Sequence, residues 1–260
     1  MELLLYTIIV FFATAIGATS GVGGGAIIKP LFDLIGIDNA TVIGTYSTIA
    51  VFTMCLTSIY KHVKTGVSFD KKILYGLSIG SIVGGIIGDM IFTSLTQTIP
   101  NHSVIFIQSI LLFFVLLAVL FYTLFSEQFP KYQLRHLPVI LIVGGVVGAL
   151  SVFLGIGGGP LNIIILVGML SFSTKESAPY SIAMIFFAQI PKVMKLLVFA
   201  PEENIRWILV PLIVVAAILG GQIGTIMNHK STDRQVKRIY ASLMAGLLVV
   251  CIYNIVKNFR

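Results

Sequence analysis

Two glycine strings, at residues 21–25 and 155–159, interrupt stretches that otherwise have the composition of membrane-buried helix. They read Gly-Val-Gly-Gly-Gly and Gly-Ile-Gly-Gly-Gly. Glycine costs roughly 1 kcal/mol in a helix interior relative to alanine, so four glycines in five positions predict a break in the helix. Backbone groups freed inside a bilayer must be satisfied by protein, water or ligand. We therefore expect the function of the protein at these two breaks.

The two strings belong to an internal duplication. Shifting the sequence by 134 positions superposes them, and residues 84–88 match residues 220–224 after a shift of 136. We therefore predict one membrane domain, residues 1–260, made of two repeats at about 1–126 and 137–260. Other pairs matched by the first shift are Tyr46 and Tyr180, Ser47 and Ser181, Phe52 and Phe186, and Lys61 and Lys195.

Composition places the chain in a membrane. Hydrophobic residues make up 57% and charged residues only 10%, whereas about a quarter of the residues of an ordinary soluble domain are charged. The net charge of +7 comes from basic residues in short loops between apolar segments, which is typical of positive-inside topology. No basic face with interleaved aromatic residues exists to bind nucleic acid. We predict a multi-pass protein of a cell membrane whose surroundings are the lipid bilayer.

Cysteine and histidine positions predict no metal site, and no motif predicts a cofactor. Cys55 and Cys251 lie far apart inside apolar runs, as buried small hydrophobic residues do. The four histidines fall at segment ends or in loops, at His62, His102, His136 and His229.

Apolar runs long enough to cross a bilayer, about 20 residues, number six. The pieces downstream of the glycine strings, 25–35 and 160–170, span only about 16 Å at 1.5 Å per residue. Each downstream piece should pair with the piece before its glycine string, residues 3–18 or 137–154. Each pair should form a re-entrant hairpin or broken helix with its tip near the bilayer midplane. The six full spans are expected near residues 41–61, 72–92, 103–125, 175–199, 205–227 and 236–256.

Loop charges predict that the two repeats run in opposite directions. Basic residues mark the loop after the first full span and the loop between the last two spans as cytoplasmic. The second-repeat equivalent of the first loop, residues 200–204, is acidic and should lie outside, as should both termini. The predicted fold is an all-α integral membrane protein of two inverted repeats, each a glycine-broken helical hairpin plus three full transmembrane helices. The basic residues are Lys61, Lys64, Lys71, Lys72, Lys230, Arg234, Lys237 and Arg238.

The start of the short helix after each string is the predicted substrate site. The first amides of a helix point outward unpaired, with a partial positive charge. Two such starts facing each other would form an anion cradle, because glycine lets the backbone approach an oxyanion closely. The alternative is that the glycines only allow close helix packing, as we expect for Gly80, Gly84, Gly88, Gly220 and Gly224. The predicted substrate-binding glycines are Gly21, Gly23, Gly24, Gly25, Gly155, Gly157, Gly158 and Gly159.

The duplicated hydroxyl groups are further candidates. Tyr46 and Ser47 open the first full span of repeat 1, and Tyr180 and Ser181 open that of repeat 2. Their hydroxyls would supply neutral donors, which suits an anion that must also leave the site. The alternative for the tyrosines is anchoring at the membrane interface.

Lys29 and Asp33 are the charged candidates. They lie four residues apart on the short helix after the first string, hence on one face and able to pair. A charge at membrane depth is costly and is by default a functional hypothesis. We predict that Lys29 contacts substrate and that Asp33 carries a coupling proton. The alternative is that both side chains extend along the short helix to the outer interface.

These features resemble the sulfite exporter TauE/SafE family, also called the toluene-sulfonate uptake permease family. The resemblance rests on the duplicated Gly-x-Gly-Gly-Gly strings, each followed by a short apolar piece with Pro30 or Pro160. It covers essentially the whole chain. It implies a multi-pass transporter of the prokaryotic plasma membrane for sulfur-containing inorganic or organic anions, such as sulfite or sulfonates.

The expected function is secondary transport of a small anion, a sulfur oxyanion or organosulfonate, and not catalysis. An anion channel is the nearest alternative. A membrane-embedded enzyme would need a cluster of acidic, histidine or cysteine side chains at membrane depth, and a scaffold would not need two glycine breaks. No motif specifies the anion, the direction of transport, the coupling ion or the oligomeric state.

Overall fold

A computed structural model describes residues 2–67, 69–126, 128, 132, 133, 135–198 and 205–259. Within these residues all regular secondary structure is helical, and seven helices are long and apolar enough to cross a membrane. The all-α membrane architecture is therefore confirmed, and each of the six predicted full spans falls on one helix. In chain order the helices are α1 Glu2–Ser20, α2 Gly25–Ile35, α3 Ala40–Lys64, α4 Lys71–Thr98, α5 Asn101–Phe125, α6 Leu137–Phe153, α7 Gly159–Leu170, α8 Thr174–Val198, α9 Leu209–Lys230 and α10 Asp233–Lys257.

Helix α1 is longer than the sequence predicts and accounts for the seventh candidate span. It continues to Ser20 and ends where Gly21 takes a positive φ of 76°; the hydroxyls of Thr19 and Ser20 donate back to carbonyls one turn earlier, both at 2.8 Å. Helix α2 nevertheless returns toward the start of α1. The Tyr6 and Phe32 ring centroids are 4.2 Å apart, and the Tyr6 hydroxyl donates to Asp38 at 2.7 Å. The two helices thus form the expected hairpin.

The ends of the bundle can be named after two equivalent tyrosines. We call the end where α3 begins the Tyr46 end, and the end where α8 begins the Tyr180 end. At the Tyr46 end, Arg206 before α9 pairs with Glu2 at the start of α1, at 2.9 Å. There too, Lys257 at the end of α10 donates to the Leu34 carbonyl near the end of α2, at 2.9 Å.

At the Tyr180 end lie the opposite termini of several helices, namely the ends of α3, α5 and α9 and the starts of α8 and α10. Lys237, in the first turns of α10, donates to Ser126, just after α5, at 2.9 Å. Lys175 in the first turn of α8 donates to the carbonyl of His229 in α9, whose ring lies beside His62 in the last turn of α3. Equivalent helices such as α3 and α8 thus begin at opposite ends, as inverted repeats require. Which end faces the cytoplasm stays a prediction, since loop 200–204 lies outside the described residues.

Glycine stripes bring two pairs of helices into backbone contact. A Cβ atom on Gly84 of α4 would overlap the Gly145 carbonyl oxygen of α6, and one on Gly224 of α9 would overlap the Ala15 carbonyl oxygen of α1. This confirms the packing interpretation of these glycines. Helix α1 is therefore an integral part of the folded bundle.

Candidate functional site

The glycine strings, here called the first tip (residues 21–25) and the second tip (residues 155–159), contact each other inside the protein. A Cβ atom on Gly159 would overlap the Val22 carbonyl oxygen, and one on Gly25 would lie 2.8 Å from the Ile156 carbonyl oxygen. These reciprocal contacts bring together the breaks of the two predicted repeats. The backbone also requires glycine, since φ lies between +67° and +76° at Gly21, Gly23, Gly155, Gly157 and Gly158.

Both tips lead into helix starts without side-chain caps. Gly24 precedes α2 and Gly158 precedes α7, and neither helix has a capping side chain. The first amides of these helices therefore contribute partial positive charge beside the contact between the tips. An anion cradle at these two helix starts stays a prediction.

Apolar side chains from equivalent positions of α3 and α8 cover the tips in this conformation. A Cβ atom on Gly23 would lie 2.8 Å from Ile185 Cδ1, and one on Gly25 would lie 3.0 Å from Val51 Cγ2. The next residues along, Phe52 and Phe186, stack with ring centroids 4.9 Å apart. Apolar side chains of α3 and α8 therefore lie directly against the tips.

The predicted serines bind the tips directly. Ser47 Oγ donates to the Gly155 carbonyl at 3.2 Å, and Ser181 Oγ donates to the Gly21 carbonyl at 2.5 Å. Both bonds cross from one predicted repeat to the other. In this conformation the two hydroxyls hold the tips in place, and their contact with substrate stays a prediction.

The predicted tyrosines contact loop backbone at opposite ends of the bundle. The Tyr46 hydroxyl accepts the Arg206 amide at 2.8 Å, and the Tyr180 hydroxyl accepts the Asp70 amide at 2.6 Å. The tyrosines therefore lie next to the serines in sequence, but their hydroxyls are directed away from the tips. A role in substrate binding stays a prediction for both.

Lys29 and Asp33 form a buried ion pair beside the second tip. Their Nζ and Oδ2 atoms are 2.8 Å apart, with the side chains only 2% and 5% exposed. Lys29 Cδ would lie 2.6 Å from a Cβ on Gly155. The alternative that both side chains extend to the outer interface is therefore wrong, because each neutralises the other inside the bundle. They also border a cavity of about 10 Å³, roughly the space of one water.

A larger cavity was not foreseen from the sequence. It has a volume of about 320 Å³ and lies at the Tyr180 end, with Tyr180, His62 and His229 among its lining residues. The two histidines occupy the last turns of α3 and α9. The sequence shows that both are near helix ends, but their proximity depends on the packing of the two helices.

Comparison with known proteins identifies the family of the chain. The pattern that describes the sulfite exporter TauE/SafE family matches residues 6–251. The chain belongs to this family. The TauE/SafE match spans both tips and eight complete helices, from α2 to α9, with most of α1 and α10 at its edges.

A curated relative of this TauE/SafE protein comes from Methanocaldococcus jannaschii and is described as a probable membrane transporter protein. The two are 27% identical over 255 residues, which cover 92% of this chain and 91% of the relative. No solved structure matches the chain. Together the family and the relative indicate a multi-pass membrane transporter.

Proposed function

We propose that this protein is a secondary transporter of a small anion, a sulfur oxyanion or organosulfonate, which binds where the two tips meet. One observation carries the proposal. Two uncapped helix starts, one from each repeat, lie at a reciprocal backbone contact deep in the bundle. Helix N-termini bind anions through free amides and the helix dipole, and transporters with inverted repeats bind substrate at the repeat interface.

The surroundings of the tips support reversible binding. Lys29 and Asp33 lie beside the second tip, and their opposite charges compensate each other. A helix end contributes about 0.3 to 2 kcal/mol, and a hydrogen bond to a charged group about 1.5 to 3 kcal/mol. Several such contacts give an affinity in the micromolar to millimolar range, which allows release.

Symmetry supports access from both sides. Ser47 and Ser181 bind opposite tips, and Val51 and Ile185 cover them from equivalent positions. A rearrangement that uncovers one tip therefore has a counterpart in the other repeat. Asp33, whose Oδ1 has no hydrogen-bond partner within the described residues, is the proposed carrier of a coupling proton. The proposed location is the plasma membrane of a prokaryotic cell.

The test is transport into proteoliposomes. Sulfite, thiosulfate, a small sulfonate and a small carboxylate are supplied with and without an imposed pH gradient. We expect saturable uptake of at least one sulfur anion, accelerated when the same unlabelled anion is loaded on the other side. Flux that rises linearly with concentration and lacks this counterflow would indicate a channel. No flux of any sulfur anion would overturn the proposed substrate class.

A further inference from the structure

The 320 Å³ cavity at the Tyr180 end has the size of a small-molecule site, since ligand pockets typically occupy about 300 to 1,000 Å³. It forms where the ends of α3 and α9 meet the start of α8. Its lining combines hydrogen-bonding groups with apolar surface. Its lining includes His62, His229, Lys175, Tyr180, Asn228 and Phe172.

His62 is the least expected member of this lining. Its side chain is fully buried, and neither ring nitrogen has a hydrogen-bond partner within the described residues. Its ring centroid is 4.9 Å from that of His229. A buried polar group without a partner costs about 1 to 3 kcal/mol, and such groups in native proteins are expected to have a ligand, water or functional role.

Two further donors converge on the cavity. The Tyr180 hydroxyl accepts the Asp70 amide, which leaves its own proton free to be donated to a ligand. Lys175 Nζ is held by the carbonyls of His229 and Ser231, at 3.0 and 2.7 Å, and retains a third N–H. The cavity therefore offers donors and a fixed positive charge.

The acidic residue of the lining does not cancel this preference for an anion. One carboxylate oxygen of Glu176 accepts the Ser173 amide at 2.9 Å, at the start of α8. Its charge is thus directed to the helix start, where it is favourable. Within the described residues, the Lys175 amine donates to two carbonyl oxygens and to no carboxylate, so its positive charge is not paired.

The remaining wall is apolar and aromatic. Phe172 lies against Tyr180 with ring centroids 5.0 Å apart, and Pro179 and Val67 complete this side. An inorganic oxyanion would leave this surface unused. A ligand with an apolar group would bury it there, at about 25 cal/mol per Å².

We propose that this cavity binds a small organic anion, with its charged group toward His62, Tyr180 and Lys175 and its apolar group against Phe172 and Pro179. The proposal rests on the proposed function in one respect, since it makes the cavity an access site for anions on their way to the tips. Two links join it to the first tip and to the end of α1 just before that tip. Tyr180 precedes Ser181, which binds Gly21, and Asn228 donates to the Thr19 carbonyl at 2.7 Å.

Binding to the purified full-length protein in detergent tests this directly. Benzoate and benzenesulfonate are the probes, acetate supplies the charged group alone, and benzyl alcohol supplies the apolar group alone. Calorimetry should show binding of at least one probe, with acetate and benzyl alcohol at least tenfold weaker. Equal binding of benzyl alcohol, or no binding of either probe, would overturn the proposal.

Variants and chemical protection locate the site. His62→Leu should weaken binding of the probe at least tenfold, and His102→Leu, at an exposed position, should not. In the unaltered protein the probe should protect His229 from diethyl pyrocarbonate, measured by mass spectrometry, and leave His102 and His136 unprotected. Unchanged affinity in His62→Leu together with unprotected His229 would refute the site.

These results separate the two proposals. Binding of benzoate at His229 without flux of any sulfur anion would keep the cavity and reject the proposed substrate. Flux of a sulfur anion without binding of either probe would keep the proposed substrate and reject the cavity as a binding site. Neither measurement depends on the other, because binding is measured without a membrane gradient.

Discussion

At the residue scale, the buried Lys29–Asp33 pair makes the stability of the protein sensitive to removal of one charge but less sensitive to removal of both. Lys29→Gln leaves a buried carboxylate without its partner, and breaking a buried ion pair typically costs about 3 to 5 kcal/mol. Lys29→Gln combined with Asp33→Asn removes both charges. We expect the double variant to unfold at a higher temperature than the single one, measured by circular dichroism in detergent.

Binding of the transported anion to the same double variant tests whether the backbone or the lysine holds the anion, because binding does not require the proton carried by Asp33. If helix starts supply the binding, the loss of affinity should not exceed about tenfold, equivalent to roughly 1.4 kcal/mol. A stable double variant without measurable substrate binding would make Lys29 the anion ligand. Equal stability of single and double variants would contradict the buried pair itself.

The two tip-binding serines belong to the same scale. Ser47→Ala with Ser181→Ala removes both hydrogen bonds to the glycine carbonyls. We expect flux to fall more than tenfold, because both helix starts lose a contact that positions them. Ser78→Ala is the matched control, since that buried hydroxyl has no partner within the described residues. Similar flux in both variants would remove the serines from the proposed site.

At the scale of elements, helix contacts without side chains explain why glycine recurs along α4 and α9. Gly84→Ala would place a methyl group against the Gly145 carbonyl of α6, and overpacking of this kind costs about 1 to 3 kcal/mol. Gly246→Ala in α10 meets nothing within 4 Å. We expect only Gly84→Ala to shift the unfolding curve in denaturing detergent to lower concentration. A similar shift for Gly246→Ala would contradict the packing explanation, because alanine has a higher helix propensity than glycine.

At the scale of the whole molecule, the testable property is the opposite direction of the two repeats. Thr98 and Arg234 are equivalent after the shift of 136, and both are exposed. In a variant without Cys55 and Cys251, Thr98→Cys should react with an impermeant maleimide in intact cells. Arg234→Cys should react only after permeabilisation. Labelling of both from one side would mean that the repeats are parallel.

The sequence by itself determined the class of the molecule and the position of its breaks. Hydropathy and the conformational cost of glycine are local properties, so spans and breaks can be assigned residue by residue. The duplication adds the pairing of equivalent positions, such as Ser47 with Ser181. The end of α1 was less predictable, because the helix continues through Thr19 and Ser20 and ends only where Gly21 takes a positive φ.

Only the tertiary structure decided what the polar side chains contact. The sequence left two possibilities for Lys29, contact with substrate or extension to the outer interface. Its burial with Asp33 excludes the second. Tyr180 bonds to the backbone of Asp70, 110 positions away, and the cavity beside it needs His62 and His229 from different repeats. Such contacts depend on which helices become neighbours and at what height. That information is held in the packing of the whole bundle and not in any single segment.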